Sequence, residues 1–195
     1  MRLFVALDID EAIRIRIVRF MDRVREFAPE TRWVRPEAFH VTLKFIGEKT
    51  ESDFAGIKEA LENIQSEAFE LNFRGHGFFP TPRAPRVFWI GIEASANLIS
   101  LATAVDTRLE ALDIPKDEHQ YSPHLTLARS SGASGSPRPQ KRDGTNSRFQ
   151  RLQEKLKGLP TPEFGTMTAR EFFLYQSKLS PSGSNYTKLA AFGLR

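Results

Sequence analysis

A chain of 195 residues, 40% of them hydrophobic and 16 of them phenylalanine, has enough apolar material to bury a sizeable core, which supports a globular protein over a disordered one. It lacks cysteine, so disulfides, thiolate metal sites and a cysteine nucleophile are excluded. The net charge of +4 and a sequence pI near 9.5 form a modest basic bias, compatible with a phosphate or nucleic-acid ligand without demanding one.

No apolar run approaches the ~18 residues that span a bilayer, and no membrane association is expected. The opening Arg2-Leu3-Phe4-Val5-Ala6-Leu7 is apolar too briefly for a signal peptide and meets Asp8 at once. Cytoplasmic residence is the expectation.

In chain order, Leu3 to Leu7 reads as a short buried strand. A helix follows from about Asp10, a plausible N-cap, with Ile13, Ile17, Met21 and Val24 along one face, and it stops near Pro29. Residues 39–46 read as a strand. Ser52 caps a second helix with Ile57, Leu61 and Ile64 on its inner face. Strand-like runs near 69–74 and 86–92 are joined by a loop from Gly75 to Pro85. A third helix fits 96–112, with Leu98, Leu101, Val105 and Leu109 on one side. A strand at 123–129, a helix near 147–158 and strands near 168–176 and 186–193 complete the chain. The segment from Ser130 to Ser147, with Ser131-Gly132-Ala133-Ser134-Gly135-Ser136-Pro137-Arg138-Pro139 and then Lys141-Arg142, reads as a surface loop.

The halves match in architecture and not in sequence: each runs helix, strand with His-x-Thr, helix, strand, strand. The expectation is one 195-residue unit of two similar lobes, facing each other with the two His-x-Thr strands at the seam.

Four histidines occur, and two share a local pattern: Phe39-His40-Val41-Thr42-Leu43-Lys44-Phe45 and Pro123-His124-Leu125-Thr126-Leu127-Ala128-Arg129. Side chains alternate along a strand. Phe39, Val41, Leu43 and Phe45 therefore face a core, leaving His40, Thr42 and Lys44 on the other face. Leu125 and Leu127 likewise oppose His124 and Thr126. An imidazole titrates near ~6.5, so at neutral pH one can accept a proton while its partner donates. Thr42 and Thr126 can give hydroxyl donors to phosphate oxygens, and Lys44 or Arg129 can add positive charge. Strict alternation, however, puts Arg129 on the Leu125/Leu127 side.

A metal site is the rival reading; with no cysteine it needs a carboxylate beside the histidines, and Asp117 and Glu118 are available. His76 and His119 lie in loop-like surroundings and read as solvated. Trp33, Phe78, Phe79 and Trp89 are candidates for stacking on a base, although Trp89, within Val87-Phe88-Trp89-Ile90, fits a core better. Arg83 and Arg86 flank a proline-rich turn and are either phosphate contacts or solvated charges.

At these residues the chain resembles the 2H phosphoesterase superfamily, and more closely the RNA 2′,3′-cyclic phosphodiesterases, historically called 2′-5′ RNA ligases. Arg2 to Leu7, His40 to Gly47, Ser122 to Arg129, and the stretches 174–179 and 183–194 all carry the likeness. The resemblance implies a bilobal α+β fold with antiparallel sheets around a central cleft. It also implies hydrolysis of a terminal cyclic phosphate on RNA to a 2′-phosphate, without a cofactor; no metal ion and a monomeric state are separate expectations. His40 would be the proton donor to the departing 3′-oxygen, His124 the acceptor that activates water, and Thr42 and Thr126 phosphate ligands. Weak reverse ligation, a substrate among small cyclic nucleotides or 2′-5′ oligoadenylates, and a non-catalytic RNA-end-binding role stay open on the sequence.

Overall fold

The computed structural model describes residues 1–94, 96–130, 147–180 and 183–195. Most of the expected loop after Ser130, including Lys141 and Arg142, lies outside the described residues; Ser130 ends a strand and Ser147 opens a short 3₁₀ turn.

The elements are β1 (Arg2–Leu7), α1 (Glu11–Val24), β2 (Thr31–Trp33), β3 (Val41–Glu48), α2 (Glu51–Glu62), β4 (Phe69–Phe79), β5 (Val87–Ala94), α3 (Ala96–Glu110), β6 (His124–Ser130), α4 (Gln150–Lys157), β7 (Glu163–Ala169), β8 (Glu171–Ser180) and β9 (Gly183–Gly193). The first sheet has the order β3-β1-β8-β9 and the second β2-β6-β5-β4-β7, every pairing antiparallel. The α+β class and the paired sheets are as expected.

The path between the sheets is not. After α2 the chain leaves the first sheet to build β4 and β5 of the second, and only β8 and β9 return. The two sheets are interleaved rather than built from one contiguous half each. Residues 163–193 form three strands where periodicity indicated two, and β4 runs on to Phe79 through what reads as a loop. In β4 a bulge around Gly75, at φ +75°, absorbs the apparent break in pattern.

α1 buries Ile13, Ile17, Phe20, Met21 and Val24, the stripe its spacing requires. Asp10 is its N-cap, without a side-chain cap hydrogen bond. The cap of α2 is Thr50, not Ser52: the Thr50 hydroxyl accepts from the Asp53 N–H and the Asp53 carboxylate accepts from the Thr50 N–H, a capping box. One hydrophobic core joins Leu3, Val5 and Leu174 of the first sheet, Phe73, Phe88 and Leu125 of the second, and the inner faces of all four helices. A second, smaller cluster, Phe4, Ala6, Phe173 and Tyr175, occupies the opposite face of the first sheet. That face carries His40.

Candidate active site

β3 and β6 lie against each other where the sheets meet, each preceded or opened by its histidine. The two imidazoles are held alike. His40 Nδ1 lies 2.8 Å from the Ala38 carbonyl and His124 Nδ1 lies 2.7 Å from the Ser122 carbonyl, in both cases two residues back. A carbonyl oxygen only accepts, so each Nδ1 carries the hydrogen and each Nε2 keeps its lone pair while the ring is neutral. The turn that places Ala38 (Pro36–Ala38) is itself tied down, since the Arg14 guanidinium donates to the Pro36 carbonyl.

Neither strand keeps strict alternation. Along β3, Ala6 faces Thr42 but Val5 faces Lys44, so Leu43 is an extra residue with no opposite number. Along β6, Trp89 faces Thr126 but Phe88 faces Ala128, leaving Leu127 as the extra residue. A bulge at the same place in each motif reverses the faces beyond it. Three expectations change as a result.

Lys44 turns away from His40 and Thr42. It is 2% exposed, with its ammonium 2.5 Å from Asp106, 3.0 Å from Asp117 and 2.7 Å from the Pro115 carbonyl, so it fastens β3 to α3 and the loop after it. It is no phosphate ligand. Asp117, weighed as a metal ligand, is engaged there. Among the described residues no group of three or more histidine and carboxylate side chains gathers as metal ligands would.

Phe45 turns the other way. Expected in the core, it is 59% exposed and packs at 6.1 Å against Phe4, the ring that lies 4.9 Å from His40.

Arg129 joins the face of His124 and Thr126, where strict alternation would deny it a place. Its charge acts on both histidines, and the Tyr186 hydroxyl is near enough to act on it. Thr42 and Thr126 keep the faces expected of them, each half-buried beside its histidine. The bulges also align Phe45 with Arg129, both two residues beyond the extra leucine: one lobe presents an aromatic ring where the other presents a guanidinium.

Burial dominates the electrostatics. It draws His40 down to about 4; the Ala38 hydrogen bond opposes this, the Arg129 charge adds to it, the Asp8 carboxylate opposes it and the His124 charge adds to it. His124 is also lowered, first by burial and then by Arg129, against the Ser122 hydrogen bond; among the described residues no carboxylate acts on it. Burial raises Asp8, but the hydrogen bonds from Lys188 and the Ile9 N–H, with the charges of Lys188 and Arg14, outweigh it and leave its pKa lowered. Asp8 thus stays anionic and favours the protonated form of His40 alone.

The walls are aromatic. Phe4 stacks on Tyr175 at 5.1 Å, and Tyr186 meets His40 edge-on at 5.1 Å. Phe79 meets His124 edge-on at 4.9 Å and Trp89 lies 6.2 Å from it, so Trp89 belongs to this face and not to the core. Gly77 makes that possible: a Cβ there would fall 2.2 Å from the indole ring. Of the other aromatics, Phe78 stacks on buried Phe88, and Trp33 packs against Phe88 while its indole N–H donates to the Ala28 carbonyl. His76, far from loop-like, sits half-buried in β4 beside Phe88, where burial lowers its pKa. His119, Arg83 and Arg86 are exposed.

Sequence reasoning missed Asp8, Phe4, Tyr175 and Tyr186, because their part depends on the order of the strands in the first sheet. It also missed Tyr121, whose hydroxyl donates to the Thr42 carbonyl at 3.0 Å and so joins the approach to the second motif to the first motif strand.

The family described as LigT like Phosphoesterase matches the chain twice, over residues 7–89 and 90–186, one His-x-Thr motif in each. A protein of Archaeoglobus fulgidus named RNA 2′,3′-cyclic phosphodiesterase is 32% identical over 98% of this chain and 99% of its own length. One of Methanothermobacter thermautotrophicus bearing the same name is 33% identical over 99% and 98%. Among solved structures, a protein of Thermus thermophilus superposes with a TM-score of 0.77 at 29% identity, covering 100% of this chain and 98% of that one. Escherichia coli LigT complexed with 3′-AMP also gives 0.77, at 26% identity, covering 99% and 97%. By these matches, full-length and in order, the chain belongs to the LigT-like phosphoesterases of the 2H superfamily.

Proposed function

We propose that this protein hydrolyses 2′,3′-cyclic phosphates at RNA ends to 2′-phosphates, with His40 and His124 as an acid–base pair. The observation that carries this is the matched pair of imidazoles, each locked through Nδ1 on a carbonyl and each with a threonine hydroxyl on the same strand face. The names of the full-length relatives point to the same substrate.

His124 Nε2 accepts a proton from a water whose oxygen attacks phosphorus. The bond from phosphorus to the 3′-oxygen breaks, and His40 Nε2–H protonates that oxygen. A 2′-phosphomonoester and a free 3′-hydroxyl result. Thr42 and Thr126 donate to the non-bridging oxygens, and Arg129 offsets the charge gathering there. Asp8 supports His40 as donor, because it favours the imidazolium there and no described carboxylate acts on His124. The free protein holds His40 largely neutral at physiological pH, so the donor takes its proton as the anionic phosphate arrives and counters the field of Arg129. Run in reverse, with a 5′-hydroxyl in place of water, the same groups would form a 2′-5′ bond.

Hydrolysis of a short RNA with a 2′,3′-cyclic phosphate end, followed with chelator present and across pH, tests this. Conversion to a 2′-phosphate is expected. Alanine at His40 or at His124 is expected to remove roughly 10²–10⁴-fold of the rate, as for a positioned acid or base. A large loss at only one of the two would break the paired mechanism, and activity that needs added metal would replace it with a metal-assisted one.

A further inference from the structure

Arg129 has a neighbour of its own sign. β2 pairs with β6 so that Arg32 stands directly opposite Arg129. Residues directly opposite in an antiparallel pair project from the same face about 4.5–5.5 Å apart at Cβ, and like charges so placed destabilise a sheet. The flanking residues fix that face. Thr31 and Trp33, on either side of Arg32, turn toward the core: Thr31 is buried, and Trp33 packs on Phe88. Arg32 therefore projects with Arg129, Thr126 and His124, exposed at the outer rim. Among the described residues no carboxylate lies within ion-pair distance of either arginine. A sheet edge is ordinarily guarded by any isolated charge. Two guanidiniums side by side, with no carboxylate partner among the described residues and leading outward from the paired histidines, form a cradle for a further anion.

We infer that Arg32, beside Arg129, binds the phosphodiester next to the terminal cyclic phosphate and so makes the protein prefer an oligonucleotide end over a cyclic mononucleotide. The inference rests on the proposed function and names the residue that reads chain length. Arg32 lies one strand spacing, about 4.8 Å, beyond Arg129, toward the rim where a strand would leave the seam. The contact positions a strand without reading its bases, since it goes to a phosphate.

The experiment compares wild type, Arg32→Ala and Arg32→Lys on two substrates, a nucleoside 2′,3′-cyclic phosphate and a trinucleotide ending in one. Arg32→Ala is expected to raise KM for the trinucleotide about tenfold, the scale of one lost charge-assisted contact. Arg32→Lys is expected to recover much of that loss, and kcat on either substrate to hold. Binding of a trinucleotide with a 3′-phosphate end, titrated against salt, supplies a readout that needs no turnover. There Arg32→Ala is expected to reduce the slope of log affinity on log salt by about 0.7, one phosphate contact on a single strand. Unchanged trinucleotide KM and salt slope would make Arg32 an edge-guarding charge only and overturn the inference. Equal losses on both substrates would overturn it too, by moving Arg32 into the terminal site. Wild type inert on both substrates would remove the catalytic reading, while the salt slopes would still decide what Arg32 does.

Discussion

For the individual side chain, burial outweighs charge at both histidines. His40 titrates near 6.5 in the unfolded chain and near 4 in the folded protein. Between those values the unfolded state binds more protons, so stability is fully present above 6.5 and is lost as pH falls toward about 4, by about 3 kcal/mol at ~1.4 kcal/mol per unit. Urea unfolding of wild type and His40→Gln at neutral and mildly acid pH measures this; the variant should show a shallower acid loss. Asp8→Asn removes the one carboxylate that favours the His40 imidazolium, so the alkaline limb of kcat should move to lower pH; an unmoved limb would detach Asp8 from the donor. Lys44 invites the opposite experiment. Lys44→Met leaves Asp106 and Asp117 without their cation. Both keep some water contact, so the cost should be moderate, about 1–3 kcal/mol. Thermal melts should register that cost while kcat holds, since Lys44 faces away from the site.

The strands show where a sequence stops being legible. Alternation places His40, Thr42, His124 and Thr126 on one face in each motif, because all four precede the bulges. Beyond Leu43 and Leu127 it fails, and it misplaces Lys44, Phe45 and Arg129 together. Nothing in a leucine announces a bulge: the extra residue is defined by its partner strand, Val5 and Ala6 for one and Phe88 and Trp89 for the other. The helices were readable because their apolar stripes report on themselves. Tyr121 belongs to this level too. Its hydroxyl donates to the Thr42 carbonyl, so Tyr121→Phe deletes one hydrogen bond between the approach to His124 and the strand of Thr42 while keeping the ring. A loss of about 1 kcal/mol in stability is expected, with a larger effect on kcat than on KM if the bond aligns the two motifs. Denaturant melts beside steady-state kinetics would separate those effects.

Across the whole molecule, the twofold pattern of the sequence is real but is not a division into pieces. The family matches meet between residues 89 and 90, inside β5, yet β4 and β5 pair with strands of the later half while β8, carrying β9 on its far edge, pairs with β1. A fragment of residues 1–94 would hold β1 and β3 without β8, and β4 and β5 without β6 and β7. Such a fragment should show little ordered structure by circular dichroism, and mixing it with residues 95–195 should restore some. A fragment that folds alone would contradict the interleaving.

The chain passes between the sheets at β1 to β2, β2 to β3, β3 to β4 and β7 to β8. Walls stitched together four times cannot swing apart about one hinge, as a pair of jaws joined by a single linker can. Walls so joined predict turnover limited by the chemical step rather than by a hinge closure of one sheet on the other. Ligand should therefore arrive in a single kinetic phase whose rate rises linearly with concentration, with no plateau to mark a slow isomerisation.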